Sequence, residues 1–261
     1  MEAVEEFEEP SALLLERQGL SNVYFVRHGQ AGTRDSYDSL SELGRRQSRL
    51  LGEYFVRQRV EFASAYAGTL LRQQQTAAEV GAAYEDAGVP FPELVIEPGW
   101  NEFDFHHIYR EIAPLLCEED SDFRSEYEAV RAEIGASAGA HDAEIHRQWR
   151  PSDTKVVEAW VGGRYPYEGE TWKQVVERVA ACRLITSERR ARENIVVFTS
   201  AIPAAIWTGR ALAVSDERVR QLAAVLHNTS YTVLGLRGQE MHLLQFNATP
   251  HLDAPELRTR R

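Results

Sequence analysis

The sequence predicts an α/β fold, a three-layer sandwich with a mostly parallel central sheet and helices on both faces. Three observations point there. Short, uncharged, β-branched runs alternate with longer segments of helical period, the pattern of parallel strands joined by crossover helices. The chain of 261 residues is long enough to bury a sizeable core. Its 43% hydrophobic and 26% charged residues are ordinary for a globular protein.

The elements follow in order. Residues 1–20, opening MEAVEEFEEP, read as a loose acidic leader ending in a short amphipathic turn. Residues 21–261 read as one domain. NVYFV (22–26) is apolar and uncharged, as a buried strand requires. Segment 39–58 is a helix with Ser41 as N-cap and Leu43, Leu50, Leu51, Tyr54 and Phe55 on one face. FASAYAG (62–68) is a short strand. Segment 69–88 is a helix opened by Thr69 and closed near Gly88. ELVIEPGW (93–100) is a strand and turn. Residues from about 106 to 150 are charged and helix-prone around the break GASAGA, and read as a helical insertion. Segment 168–194 is again helical. NIVVFTS is a fourth strand, followed by the helix IPAAIWTGRALA. YTVLGLRG and MHLLQFN pair as a hairpin near Gly238.

Composition excludes several function classes. The net charge of −11 argues against a nucleic-acid partner. The 2 cysteines, Cys117 and Cys182, form neither a disulfide framework nor a zinc pair, and fit a reducing compartment. The N-terminus lacks the basic and apolar regions of a signal peptide. The uncharged run Ile195–Gly209 is shorter than the roughly 20 residues a membrane span needs. The expectation is a cytoplasmic protein without a membrane or nucleic-acid partner.

In a parallel sheet, ligands bind beyond the carboxyl ends of the strands. Arg27 and His28 fall at one such end, Thr199 and Ser200 at another, and AGTLLR just past a third. Phosphoryl transfer needs planar cationic donors for the spreading charge, and a nucleophile. A neutral imidazole can be that nucleophile.

VRHGQ with LSELGRRQ behind it, then AGTLLRQQQTA, WNEFDF and EGETW, in this order, resembles the histidine phosphatase superfamily, which includes the phosphoglycerate mutases. The resemblance implies a phosphoglycerate mutase-like fold and a small phosphorylated substrate, with no metal or other cofactor. It makes His28 the phosphorylated nucleophile, Arg27 and Arg72 the phosphate grips, and Glu102 the acid that protonates the leaving group and then activates water. Asp104 and Glu97 compete for that last role; Glu102 is preferred because Trp100 and Phe103 desolvate it. Gly29 would let the backbone approach phosphate closely. Gln30 touches phosphate or orients its loop. Thr33 and Tyr37 lie in the loop after the nucleophile, where the family contacts phosphate or substrate. Glu170 either faces the substrate pocket or serves as a helix N-terminal acid.

One departure stands out. Where the family carries a second histidine and two glycines, this chain reads Ser200, Ala201 and Ile202. Serine donates a neutral hydrogen bond, roughly half as strong as a charged one. Two readings follow: a retuned phosphatase in which Ser200 donates, helped by the Ala201 amide or a nearby histidine, or a weakened pseudo-phosphatase that binds phosphate ligands. A mutase-type phosphotransferase is a third, less supported reading. Ile202 would narrow the pocket. His227, His106 and His107 are the histidines near enough in sequence logic to help, each with an exposed loop position as the plainer reading.

Overall fold

The computed structural model describes residues 20–32, 38–136, 150–182, 193–238 and 240–260. The acidic leader up to residue 19, Thr33 and Tyr37 lie outside the described residues, as does the end of the helix expected over 168–194.

A 6-stranded sheet has the order β3-β2-β4-β1-β5-β6. Its strands are β1 (Ser21–Arg27), β2 (Ser64–Ala67), β3 (Leu94–Ile96), β4 (Asn194–Thr199), β5 (Tyr231–Arg237) and β6 (Glu240–Ala248). The pairs β1/β4, β4/β2 and β2/β3 are parallel; β5 runs antiparallel to β1, and β6 to β5. The helices are α1 (Glu42–Arg57), α2 (Leu71–Asp86), α3 (Phe105–Glu119), α4 (Ser121–Ala136), α5 (Pro151–Val161), α6 (Trp172–Ala181), α7 (Ala201–Ala211) and α8 (Asp216–Val225). The sheet is the mostly parallel one, covered by helices on both faces, that the sequence predicts.

Alternation along β1 sends side chains to both faces. Val23 and Phe25 join Trp100, Ile112, Val175 and Trp207 in one core layer. Val26 joins Leu51, Phe55, Val80 and Tyr84 in the other. Phe25 stacks on Trp207 with ring centroids 5.7 Å apart. The strands are apolar on both sides because helices cover both sides.

The local expectations fare unevenly. Ser41 caps α1 by accepting from the Gly44 amide at 3.0 Å. Thr69 does not cap α2: the N-cap position is Leu70, whose side chain makes no cap hydrogen bond. Asp38 instead accepts from the Leu71 amide at 3.2 Å. Thr69 is taken by Asn101, which accepts from the Thr69 amide and donates to its hydroxyl, both at 2.7 Å. A cap supplied by a distant segment leaves no trace in local sequence. The helix expected from residue 168 begins only at Trp172, where Thr171 and Gln174 form a capping box. Helices α5 and α8 lie outside the elements expected from the sequence. Within the expected insertion, the described part is α3 and α4.

His251 is buried, with Nε2 2.9 Å from the Thr229 hydroxyl oxygen. Burial first, and the Arg57 guanidinium second, hold its pKa down at about 3. The unfolded chain therefore takes up this proton near pH 6.5, and the folded one only near pH 3. Native stability falls as pH drops through that window. Denaturant midpoints at pH 7 and pH 4 should show the fall, and His251→Gln should lessen it; equal falls in both proteins would contradict this account.

Candidate active site

The register Arg27↔Thr199 sets the ends of β1 and β4 side by side. The start of antiparallel β5 joins them, because Val26 pairs with Tyr231. His28 and Ser200 each follow directly, so the fold alone brings them to one rim.

His28 is buried, and its backbone is tied on both sides. Its amide donates to the Thr199 carbonyl at 2.8 Å. Its carbonyl accepts from Asn228 Nδ2 at 3.1 Å. Nδ1 lies 2.8 Å from the Gly29 carbonyl oxygen. A carbonyl only accepts, so Nδ1 carries the proton and the lone pair sits on Nε2. Arg72 Nε donates to that Nε2 at 3.2 Å. Burial, then the Arg72 and Arg27 charges, lower the His28 pKa well below 6.5, outweighing the Gly29 carbonyl. The imidazole is neutral at physiological pH, with its basic nitrogen turned to a guanidinium.

Arg27 and Arg72 are buried cations. Arg27 Nη1 donates to the Leu226 carbonyl. Arg72, in the first turn of α2, also donates Nη1 to Asp38 Oδ1 at 3.0 Å. Asp38 thus places a carboxylate on Arg72 and on the first amide of α2.

Gly29 needs its missing side chain for a different reason than the expected one. An added Cβ would lie 2.4 Å from the Gly44 carbonyl oxygen and 2.8 Å from Ser48 Oγ. A Cβ on Gly44 would lie 2.1 Å from the Gln30 carbonyl oxygen. The close approach is between the nucleophile loop and α1. The Gly29 amide is also spent, on Thr76 Oγ1 at 3.0 Å. Gln30 orients the loop: its amide donates to Gln47 Oε1 at 2.9 Å, and its Oε1 accepts from Ser41 Oγ at 2.8 Å.

Glu102 follows a short 3-10 turn, Pro98–Trp100, and reaches the start of α7. Its Oε2 accepts from the Ile202 amide and its Oε1 from the Phe103 amide, both at 3.2 Å. Burial raises its pKa above 4.5, against the pull of the Ile202 amide and Arg72. Its rivals are otherwise engaged: Asp104 caps α3 at the His107 amide, and Glu97 caps the Pro98–Trp100 turn.

Ser200 is the N-cap residue of α7 but makes no side-chain cap bond. Gln73 explains its orientation. Gln73 Nε2 donates to the Trp100 carbonyl at 3.1 Å and to Ser200 Oγ at 2.9 Å. The Trp100 oxygen also accepts from Thr199 Oγ1 at 2.7 Å. Two carbonyl oxygens cannot face each other, so the Gln73 amide must present its NH₂ there. Ser200 therefore accepts from Gln73, and its own proton points elsewhere. Ala201 supplies the first amide of α7, which has no acceptor within the helix. The Ile202 side chain is buried and belongs to the core layer that holds Trp100 and Trp207.

Glu170 spends its carboxylate on Arg178, at 2.7 and 2.9 Å. Arg178 in turn donates to the Gly99 and Asn101 carbonyls at 2.8 and 3.0 Å. The pair braces the turn that carries Glu102. His107 lies 3.9 Å from Glu111, on α3, and His227 lies in the loop before β5. Among the described residues, no group of three or more His, Cys, Asp or Glu side chains is placed to hold a metal ion. No described helix is long and apolar enough to cross a membrane. Sequence reasoning missed Gln73, Asp38 and Asn228. Only Gln73 lay inside a singled-out motif, and nothing marked it as Ser200's partner.

The profile of the histidine phosphatase superfamily (branch 1) matches residues 23–133 and 132–249. No curated protein sequence matches the chain. Solved structures do. YhfR of Bacillus stearothermophilus is 18% identical with a TM-score of 0.58, covering 89% of this chain and 100% of that one. The α-ribazole phosphatase of Shigella flexneri is 17% identical with a TM-score of 0.55, covering 87% and 96%. A phosphoglycerate mutase of Bacillus anthracis is 14% identical with a TM-score of 0.53, covering 89% and 95%. At these identities the likeness is one of fold.

Proposed function

Because this chain belongs to the histidine phosphatase superfamily (branch 1), we propose that it hydrolyses phosphomonoesters through a phosphohistidine at His28. The observation that carries the reading is the state of His28: neutral, with Nδ1–H held by the Gly29 carbonyl and the Nε2 lone pair beside Arg72. Nε2 attacks phosphorus while the ester bond breaks. The departing alkoxide takes the proton from the Glu102 carboxyl, which its raised pKa keeps in place. Arg27 and Arg72 hold the equatorial oxygens as charge spreads over them. The Glu102 carboxylate then accepts a proton from water, whose oxygen attacks phosphorus. The N–P bond breaks and inorganic phosphate leaves. These steps use the chain's own side chains and need no cofactor. The 2 cysteines are both free, which supports a cytoplasmic setting.

The test is a rapid acid or base quench after mixing with ³²P-labelled phosphomonoesters. Acid-labile, base-stable label on His28 is expected. No such label with any ester that is turned over would refute the reading.

Ser200 bears on the second reading, a phosphate binder with little turnover. With Gln73 holding its oxygen as an acceptor, the Ser200 proton is available to the phosphoryl group, and this favours turnover. Ser200→Ala is expected to lower kcat about 10²-fold, as loss of one preorganised donor does. Gln73→Leu should lower kcat as well, and the double variant should lose little more than Ser200→Ala. Additive losses would show that the pair does not act as a unit.

A further inference from the structure

We propose that the segment after β6 builds a second anion-binding subsite beside His28, so that the substrates are phosphomonoesters bearing a further acidic group. The proposal rests on the phosphatase reading above and deepens it.

The loop between α8 and β5 lies on the same rim as the nucleophile, since the Thr229 amide donates to the Arg27 carbonyl at 2.9 Å. Arg27 grips Leu226 in that loop. The next residue, His227, accepts at Nε2 from Arg260 Nε at 3.4 Å. Arg260 is held there by its neighbour. The Thr259 carbonyl accepts from the Asn228 amide at 2.8 Å, and Thr259 Oγ1 donates to Asn228 Oδ1 at 2.9 Å. Gln47 Nε2 donates to Leu257 O at 2.7 Å and to Thr259 Oγ1 at 2.9 Å. Asn228 and Gln47 are also the residues that hold His28 and Gln30. The nucleophile loop and the Arg260 segment are thus locked to common anchors.

The charge balance is unusual. The chain carries −11 overall, yet Arg27, Arg258 and Arg260 surround His227 closely enough to lower its pKa, after burial. Arg258 donates to the Leu252 carbonyl at 3.0 Å, and the Arg258 and Arg260 side chains are exposed. Among the described residues neither forms an ion pair with a carboxylate, although Asp253 and Glu256 lie in the same segment. Exposed guanidinium groups beside a phosphate site, without a carboxylate partner among the described residues, favour a second carboxylate or phosphate on the same ligand. They also steer an anionic substrate past an acidic surface.

The test compares 2-carboxyethyl phosphate with n-propyl phosphate, esters of similar length that differ in the acidic group. Wild type should prefer the carboxylate ester by about tenfold in kcat/KM at low salt, mostly through KM. In Arg258→Gln/Arg260→Gln the two values should converge. Equal values in wild type, or a preference that survives in the double variant, would overturn the subsite. If neither ester is turned over, calorimetry reads the same comparison as affinities. A carboxylate preference lost in the double variant then upholds the subsite while the phosphatase reading fails, and equal affinities overturn it.

Discussion

His28→Asn is expected to abolish turnover, lowering kcat/KM by about 10⁴–10⁶-fold, the loss seen when a covalent nucleophile is removed. No acid-labile phosphate should form. Phosphate or vanadate should still bind, because Arg27 keeps its bond to the Leu226 carbonyl and Arg72, though it loses the imidazole, keeps its bond to Asp38. The large effect follows from the chemistry. Without Nε2 no side chain among those gathered here has a neutral lone pair aimed at the site; Ser200 and Gln73 are engaged with each other and Glu102 with backbone amides. Turnover within tenfold of wild type would mean that water attacks directly and that the phosphohistidine is not on the path.

Glu102→Gln should lower kcat for alkyl phosphates by about 10²–10⁴-fold, the usual contribution of a general acid. For p-nitrophenyl phosphate, whose leaving group needs no proton, the fall should be much smaller. Equal falls for both esters would remove Glu102 from the leaving-group step. The pH dependence gives an independent check. Phosphoryl transfer requires neutral His28 and protonated Glu102. The rate is lost as pH falls through the lowered His28 pKa, and as pH rises through the raised Glu102 pKa. The optimum for alkyl esters should therefore lie between the lowered His28 pKa and the raised Glu102 pKa. The alkaline limb should disappear in Glu102→Gln and the acidic limb should remain.

Some of this was legible without a structure. An uncharged run that stops at Arg27–His28 says that a strand ends there, because a buried strand between helix layers tolerates no charge. A second such run, ending at Thr199–Ser200, says the same of β4. In a parallel sheet both ends fall on the same rim, and the sheet order that makes β1 and β4 neighbours then brings His28 and Ser200 together. Arg72 and Glu102 were legible only through the order of their motifs. The neighbouring Trp100 and Phe103 favoured Glu102 over Glu97 and Asp104 through desolvation alone. The structure separates them, since the other two carboxylates are spent as helix caps.

Other contacts could not be read from sequence because they join segments far apart in the chain. Thr69 looks like a helix cap, and Asp38 from across the site performs that task. Gly29 looks like a phosphate-loop glycine, and its close contact is with the Gly44 carbonyl of α1. Glu170 looks like either a pocket acid or a helix-end acid, and it binds Arg178 under the Glu102 turn. Local periodicity and motif order determined by themselves that this chain builds a parallel sheet with a His-Arg-Arg-Glu set at one rim, since burial imposes the first and chemistry the second. Only the tertiary structure decided the proton positions, with Nδ1–H on His28 and an uncommitted proton on Ser200. Those depend on which carbonyl faces which nitrogen, and the Gly29 and Trp100 carbonyls take their places only when the layers have packed.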